Sequence, residues 1–512
     1  VLQGFPAELA EYRAEIEERA HAEGLDFFET IFEMVDFDQI NQIAAYGGFP
    51  QRYPHWRFGM EYERLRKQQT YGLGKIYEMV INSDPCYAYL LSDNALVDHK
   101  TVMAHVYAHC DFFKNNVWFS QTNRKMMDGM ANNATRIWRH IEREGFATVE
   151  KFLDTCLSLE NLIDAHAPFM KRQSPPSRQN GPTAREQAEQ RVVRYPSKPY
   201  MERYINPPER LVAERERELE ELDKRRHAFP AAPERDVLLF LLRHAPLEDW
   251  QADILAIVRD EAYYFAPQAQ TKIMNEGWAT YWHSYLMTRH HLHDDELITY
   301  CDHHAGTLAT APGRLNPYKL GVELFRDVEE RWDKGRFGKE YEECEDIEQR
   351  RRWDTGAKEG RARIFEVRRI YNDVTFIDEF LTPEFAERQA LYQYRFDPGT
   401  NRVIAVNREF PQIKQRLLFM LTNHGEPYIY VVDGNYANRG ELYLAHKHLG
   451  VDVDIKYAKE CLLNLQRLWK RPVHLQARID DDMMLFSTTA ENTVKQQKIS
   501  EELPKPAHTS IQ

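Results

Sequence analysis

The chain has 512 residues, 43% hydrophobic and 12% aromatic, enough for a sizeable packed core in two to four domains and too apolar for a disordered polymer. Charged residues make up 29%, and a net charge of −13 argues against a nonspecific grip on nucleic acid or anionic lipid, both of which need a cationic face. No apolar run approaches the roughly 20 residues of a membrane helix, and six scattered cysteines without a CxxC pair speak against a disulfide framework or zinc ribbon and for a reducing, cytoplasmic home.

Residues 6–23 read as an acidic amphipathic helix, with Glu8, Glu11 and Glu15 where a secretory leader would be apolar. A second helical pattern covers 37–46, and YPHWRFGMEYERL from Tyr53 to Leu65 is an aromatic-rich turn entering another helix. KIYEMVINSDPCYAYLL, Lys75 to Leu91, carries β-branched and aromatic residues on both sides of Ser83-Asp84-Pro85, which predicts a hairpin or two short strands. Asp98 stands where it would cap the helix that follows over Lys100–Phe113, and helices continue to Ile163. Residues 171–235 hold SPPSRQNGP, YPSKPY, INPPER and the charged run ERERELEELDKRR, predicting a polar linker with one exposed helix over 208–227. Helical patterns resume over 236–385, broken at Pro246 and Pro267 and by a His-rich region over 290–304.

From 386 to 487 the pattern reads ββαββαβ, a small C-terminal α+β domain, and the polar tail 488–512 is expected to be disordered. The expected organisation is therefore an N-terminal part over 1–170, the linker 171–235, a helical part 236–385 that completes the main domain, the C-terminal domain and the tail. The fold class is α+β and mainly helical, with a zincin-like main domain in which a short strand pair precedes the histidine-bearing helix.

The chemistry concentrates in MAHVYAHCDFFKNN, Met103 to Asn116. His105 and His109 are four apart on a predicted helix and share one face, so their imidazoles are placed to reach a single metal ion. Twenty histidines produce such pairs often, and a stacked structural pair is the plainer reading. The second segment is NEGWATYWH, Asn275 to His283. Glu276 and His283 share a helix face but stand about 10.5 Å apart along the axis, too far for direct binding to one ion. Two histidines from one helix and one carboxylate from another make an open three-ligand set suited to a divalent metal, zinc first.

The residue after the first histidine is Val106, where metallopeptidases of the HExxH type carry a catalytic Glu. A substitute base is sought in Glu276, if His283 or His304 completes the metal set, or in Glu78 on the preceding strand; Glu276 as a ligand ranks first. His283 and Glu78 thus stand as candidates for proton transfer, His304 as an additional ligand, and Tyr318 in LNPYKLG as a hydrogen-bond donor to an oxyanion. His290, His291, His293 and His303 form further clusters that a solvated surface explains. No GxxxxGK[ST], GxSxG or protein-kinase loop set is present, which leaves nucleotide hydrolysis and serine-hydrolase chemistry without support.

YPHWRFG, YEMVINSDPCYAYL, VMAHVYAHCDFFKNN, MNEGWATYWH, LNPYKLG, NYANRGELYLAHKHLGVDVDIKYA and LWKRPVHL together resemble the stage V sporulation protein R (SpoVR) family, over about Tyr53 to Leu475. The resemblance implies a bacterial protein tied to spore cortex formation and peptidoglycan metabolism in sporulating species. In other bacteria it implies a stress-associated module with a PrkA-type kinase and a von Willebrand-like partner. Two functions follow as expectations. One is a metal-dependent hydrolase of amide bonds, with a cell-wall precursor or peptide as substrate. The other is a non-catalytic regulatory or scaffold protein that works with those partners. Neither involves nucleic acid or an integral membrane segment.

Overall fold

The helix that carries His105 and His109 runs from Leu96 to Asn115 and is buried from Val97 to Phe113, with only Thr101 partly exposed. A helix enclosed on every side needs no polar face, which is why this segment lacks an amphipathic stripe. The computed structural model describes residues 5–70, 78–170, 192, 194–199, 201–227, 229–480 and 482–499. The fold is α+β and mainly helical. Its longer helices are α1 (Ala7–Ala22), α2 (Phe37–Ala45), α3 (Trp56–Thr70), α4 (Leu96–Asn115), α5 (Met126–Glu144), α6 (Phe146–Leu157), α7 (Pro208–His227) and α8 (Val237–His244). They continue with α9 (Asp249–Gln270), α10 (Lys272–Leu286), α11 (Leu297–Thr307), α12 (Pro317–Asp333), α13 (Gly360–Ile370), α14 (Asp373–Phe380), α15 (Phe410–Leu421) and α16 (Ile455–Trp469). No helix among the described residues is long and apolar enough to cross a membrane.

The chain divides into two compact units, Val1–Leu153 with Asp260–Gly425, and Asp154–Arg259 with Glu426–Gln512. This division cuts across the one expected from composition. The described part of 171–235 clusters with the C-terminal sheet, and the helix expected there over 208–227 is α7; residues 171–191, 193, 200 and 228 lie outside the described set.

In the first unit, β2 (Glu78–Ile81) and β3 (Cys86–Leu91) pair antiparallel around Ser83-Asp84-Pro85, as the strand pattern predicts. A strand not anticipated, β1 (Thr30–Val35), pairs parallel with β3, giving the order β1-β3-β2. Its Thr30, Phe32 and Met34 are buried while Ile31 and Glu33 are half-buried, a period-two pattern too short to stand out in TIFEMV. Asp98 does not cap α4; the cap position is Ala95, and Asp98 lies within the first turn, bonded through Oδ1 to His303 Nδ1. The core of this unit gathers Met103, Val106 and Tyr107 of α4, Trp278 and Trp282 of α10, and Leu324 and Phe325 of α12. The hairpin β4 (Gln393–Asp397) and β5 (Arg402–Asn407), expected within the C-terminal domain, forms its own two-stranded sheet and clusters with this unit.

The second unit is built on a five-stranded sheet, ordered β10-β9-β8-β7-β6, from β6 (Tyr428–Tyr436), β7 (Glu441–Lys447), β8 (Val473–Ile479), β9 (Asp482–Thr488) and β10 (Val494–Lys498). Strands β7 and β8 are parallel and joined through α16, which buries Leu462, Leu465, Leu468 and Trp469. The tail expected to be disordered from 488 instead contributes β10, paired antiparallel with β9 from Val494↔Thr488 to Lys498↔Met484. VKQQK hides this role because backbone pairing at a sheet edge holds the strand, with its side chains largely in solvent. Residues 500–512 lie outside the described set.

Candidate metal centre

Helices α4 and α10 pack side by side in the first unit and bring together three side chains from distant parts of the chain. The one-turn spacing of His105 and His109 sets their rings edge to face, with centroids 4.5 Å apart. Glu276, in the first turns of α10, places Oε2 3.7 Å from His105 Nε2 and 3.6 Å from His109 Nε2. These donor atoms all lie within 4.8 Å of one another, and among the described residues this is the group of His, Cys, Asp and Glu side chains so arranged. The distances exceed hydrogen-bond length, and Glu276 Oε2 is buried without a hydrogen-bond partner.

The position of Glu276 rests on two features of α10. Asp373, at the start of α14, accepts from the backbone N–H of Ile273 at 2.8 Å and of Met274 at 2.9 Å, satisfying amides that the first turn of a helix leaves free. Gly277, the next residue after Glu276, lets α10 lie against α12 at Gly321 in direct backbone contact.

Each histidine is oriented through its other nitrogen. His109 Nδ1 is 2.9 Å from Asn275 Oδ1, so the carbonyl oxygen receives the Nδ1 proton and leaves Nε2 with its lone pair toward Glu276. His105 Nδ1 is 2.8 Å from His283 Nδ1, and His283 Nε2 is 3.1 Å from His304 Nδ1, a string of imidazoles that ends at half-buried His304. One tautomer order, each ring donating outward, leaves His105 Nε2 free to act as a ligand. Asp111 on α4 joins the surrounding elements, accepting from Trp278 Nε1 at 2.9 Å and from Asp26 N at 2.9 Å and pairing with Arg368 at 3.2 Å.

The charge states suit ligation. Burial, and then the neighbouring His105, push His109 down to about 4 against the pull of Glu276. Burial pushes the Glu276 carboxyl up, but His105 and His109 together outweigh it and hold it below the usual range. Burial first, with His105 and His304 adding to it, drives His283 well below its usual value. Near neutral pH the pocket therefore presents His109 as a neutral imidazole beside an ionised carboxylate, the forms a metal requires.

Of the residues singled out in the sequence, His105, His109 and Glu276 converge. His283 and His304 stand behind His105, with His283 using both ring nitrogens on other histidines. The Tyr318 ring lies nearly parallel to that of His105, with centroids 6.3 Å apart. Glu78 opens β2 opposite Leu90, and its side chain lies outside the described set. Val106 is fully buried in the core. His303 bonds Asp98, His290 lies 3.7 Å from Glu23, and the His291 carbonyl accepts from the Lys100 ammonium. Sequence reasoning missed Asn275, Asp111 and Asp373. Asn275 had a signal in its place beside Glu276, whereas the other two are identified only by what they touch.

Residues 5–426 match the family described as SpoVR like protein, and residues 427–480 match the SpoVR-like C-terminal domain. That junction falls beside the boundary between the two compact units at Gly425 and Glu426. The chain is also similar to the uncharacterized protein YcgB of Escherichia coli (strain K12), 31% identical over 502 residues that cover 92% of each chain. No solved structure matches it.

Proposed function

This chain belongs to the SpoVR-like family, and within it we propose a zincin-like, metal-dependent hydrolase that acts on amide bonds of cell-wall peptides or their precursors. The observation that carries this reading is the orphaned Glu276 Oε2, buried between two imidazole nitrogens at 3.6 and 3.7 Å. Ligands about 2.0–2.2 Å from one tetrahedral ion stand roughly 3.3–3.6 Å from each other, which the two carboxylate–imidazole distances match, while the donor atoms of the whole group lie within 4.8 Å of one another, so the two imidazoles draw together to share a cation. Two histidines and one carboxylate form an open set, which leaves a coordination position for substrate. A zinc ion bound there supplies Lewis acidity toward a carbonyl and acidifies water.

The protein's own groups do the positioning. Asn275 and His283 hold the two imidazoles in the tautomers that face Glu276. Tyr318, beside His105, is assigned to oxyanion binding, and Glu78, at the start of the strand paired with β3, to proton transfer in the role that Val106 leaves unfilled. His283 acts as a positioning group because both of its nitrogens are engaged. The choice of a cell-wall amide rests on the tie to the spore cortex that the sequence resemblance implies.

Elemental analysis of full-length protein from zinc-replete medium tests the reading. Zinc is expected in wild type, with one equivalent lost in a His105→Ala/His109→Ala variant. Hydrolysis of peptidoglycan stem peptides is expected in wild type and not in Glu276→Gln. A wild-type chain that takes up no zinc, iron or cobalt at His105 and His109, even on reconstitution, overturns it.

A further inference from the structure

β7 ends in His446-Lys447, and the chain then runs through His448, Leu449 and Gly450 to Asp452. Alternation along a strand sends His446 to the same side as Leu442 and Leu444, both fully buried. His446 is itself 8% exposed, and neither of its ring nitrogens has a hydrogen-bond partner. An unpartnered buried polar group costs about 1–3 kcal/mol, so a native protein keeps one for a reason. The same sheet shows how a structural histidine is handled: His474 on β8 meets Ser487 Oγ at 2.8 Å through Nδ1 and Glu441 Oε2 at 2.9 Å through Nε2.

The neighbours of His446 are metal-binding types. The His448 ring lies edge to face with it, centroids 5.6 Å apart, and His448 Nε2 is 2.9 Å from Asp452 Oδ1. Two imidazoles on one tetrahedral ion, at about 2.0–2.1 Å from each nitrogen, have centroids roughly 5 Å apart. His448 and Asp452 are partly exposed; their donor atoms do not yet converge with His446 as those of the His105 centre do, so the site closes by these two surface side chains turning toward the buried ring.

We propose that His446, His448 and Asp452 form a second cation site, in the C-terminal unit, for a divalent transition metal. Two imidazoles and a carboxylate favour zinc, nickel or copper over magnesium or calcium, which select oxygen donors. The site shares no residue with the His105 centre and does not depend on the hydrolase reading.

Zinc titration of the full-length His105→Ala/His109→Ala variant isolates this site. That protein is expected to bind one equivalent of zinc and to show a cobalt absorption band of tetrahedral intensity. Adding His446→Leu, or separately Asp452→Asn, is expected to weaken zinc binding at least tenfold. His446→Leu is also expected to unfold in chelator no earlier than its parent, because an unpartnered polar group has been removed; this distinguishes loss of a ligand from loss of the fold. A background variant that binds no zinc, or a His446→Leu protein that binds zinc like its parent, refutes the site. Failure of the His105 centre would appear instead as equal zinc content in wild type and background variant, and would leave this result standing.

Discussion

Gly277 of α10 and Gly321 of α12 meet backbone to backbone: a β-carbon on Gly277 would stand 2.4 Å from Gly321 Cα, and one on Gly321 would stand 2.1 Å from the Ile273 carbonyl oxygen. Both sides of the clash are main chain, so relief requires the helices to separate. Gly321→Ala is expected to destabilise the protein by about 1–3 kcal/mol and to weaken zinc binding, since Glu276 adjoins the crossing. Gly59→Ala on α3, where no atom lies within 4 Å of the added carbon, is the control. It is expected to be neutral or stabilising by up to about 1 kcal/mol, the helix preference for Ala over Gly. Urea unfolding in chelator, with zinc titration alongside, reads both effects.

Asn275 and His283 touch the imidazoles of His105 and His109 without belonging to the proposed ligand set. Asn275→Ala and His283→Phe are each expected to lower zinc affinity by about 10–100-fold, the usual effect of removing an orienting partner. Asn275→Asp keeps the accepting oxygen and is expected to retain most of it. Competition with a zinc-chelating dye measures the series, and unchanged affinity in both deletions would mean that the outer bonds do not orient the ligands.

His109 gives the metal-free protein a distinct pH signature. Its pKa is about 4 when folded, depressed by burial and by His105, against about 6.5 for an unfolded histidine. Between these values the unfolded chain binds the extra proton, so stability rises with pH. The contribution is complete above about 6.5 and is lost as pH falls to about 4, on the order of 3 kcal/mol in all. His109→Gln, which cannot titrate, is expected to flatten that part of the curve in urea unfolding from pH 4 to 7. Zinc binding is likewise expected to survive at pH 5.5, where an exposed histidine is mostly protonated.

Asp373 runs the other way. Burial raises its pKa to about 7, although the Ile273 and Met274 amides it caps pull downward. From about 4 to 7 the folded chain binds the extra proton, so this group's stabilisation is complete below about 4 and fades as pH rises to about 7. Asp373→Asn keeps an accepting oxygen without the charge. The stability lost between pH 5 and pH 8 is expected to be smaller in this variant than in wild type, and an unchanged difference would remove Asp373 as the source.

The legible parts of the fold were those with a strong local pattern. The strands about Ser83-Asp84-Pro85, α16 and the helical reach of α4 follow from side-chain alternation and helical spacing. β1 escaped notice because it is six residues long and follows a helix closely. β10 escaped because its polar side chains say nothing about a backbone that pairs along an edge. Asp98 resembles a cap by its place before an apolar run, but its partner is His303, which is distant in sequence. For the site, the helical turn that joins His105 to His109 and the Glu-Gly-Trp-Ala segment pointed to the three converging groups, while the roles of His283 and His304 behind His105 could not be read from spacing.

The sequence alone determined that two imidazoles share a helix face and that a carboxylate sits on another helix, because helix geometry is a local property of successive residues. Only the tertiary structure decided that these faces oppose one another, that Asn275 and His283 turn the rings, and that Asp373 and the Gly277–Gly321 contact set the height and depth of Glu276. Those relations join residues tens to hundreds of positions apart. Their geometry depends on how whole helices pack, which no short window of sequence encodes.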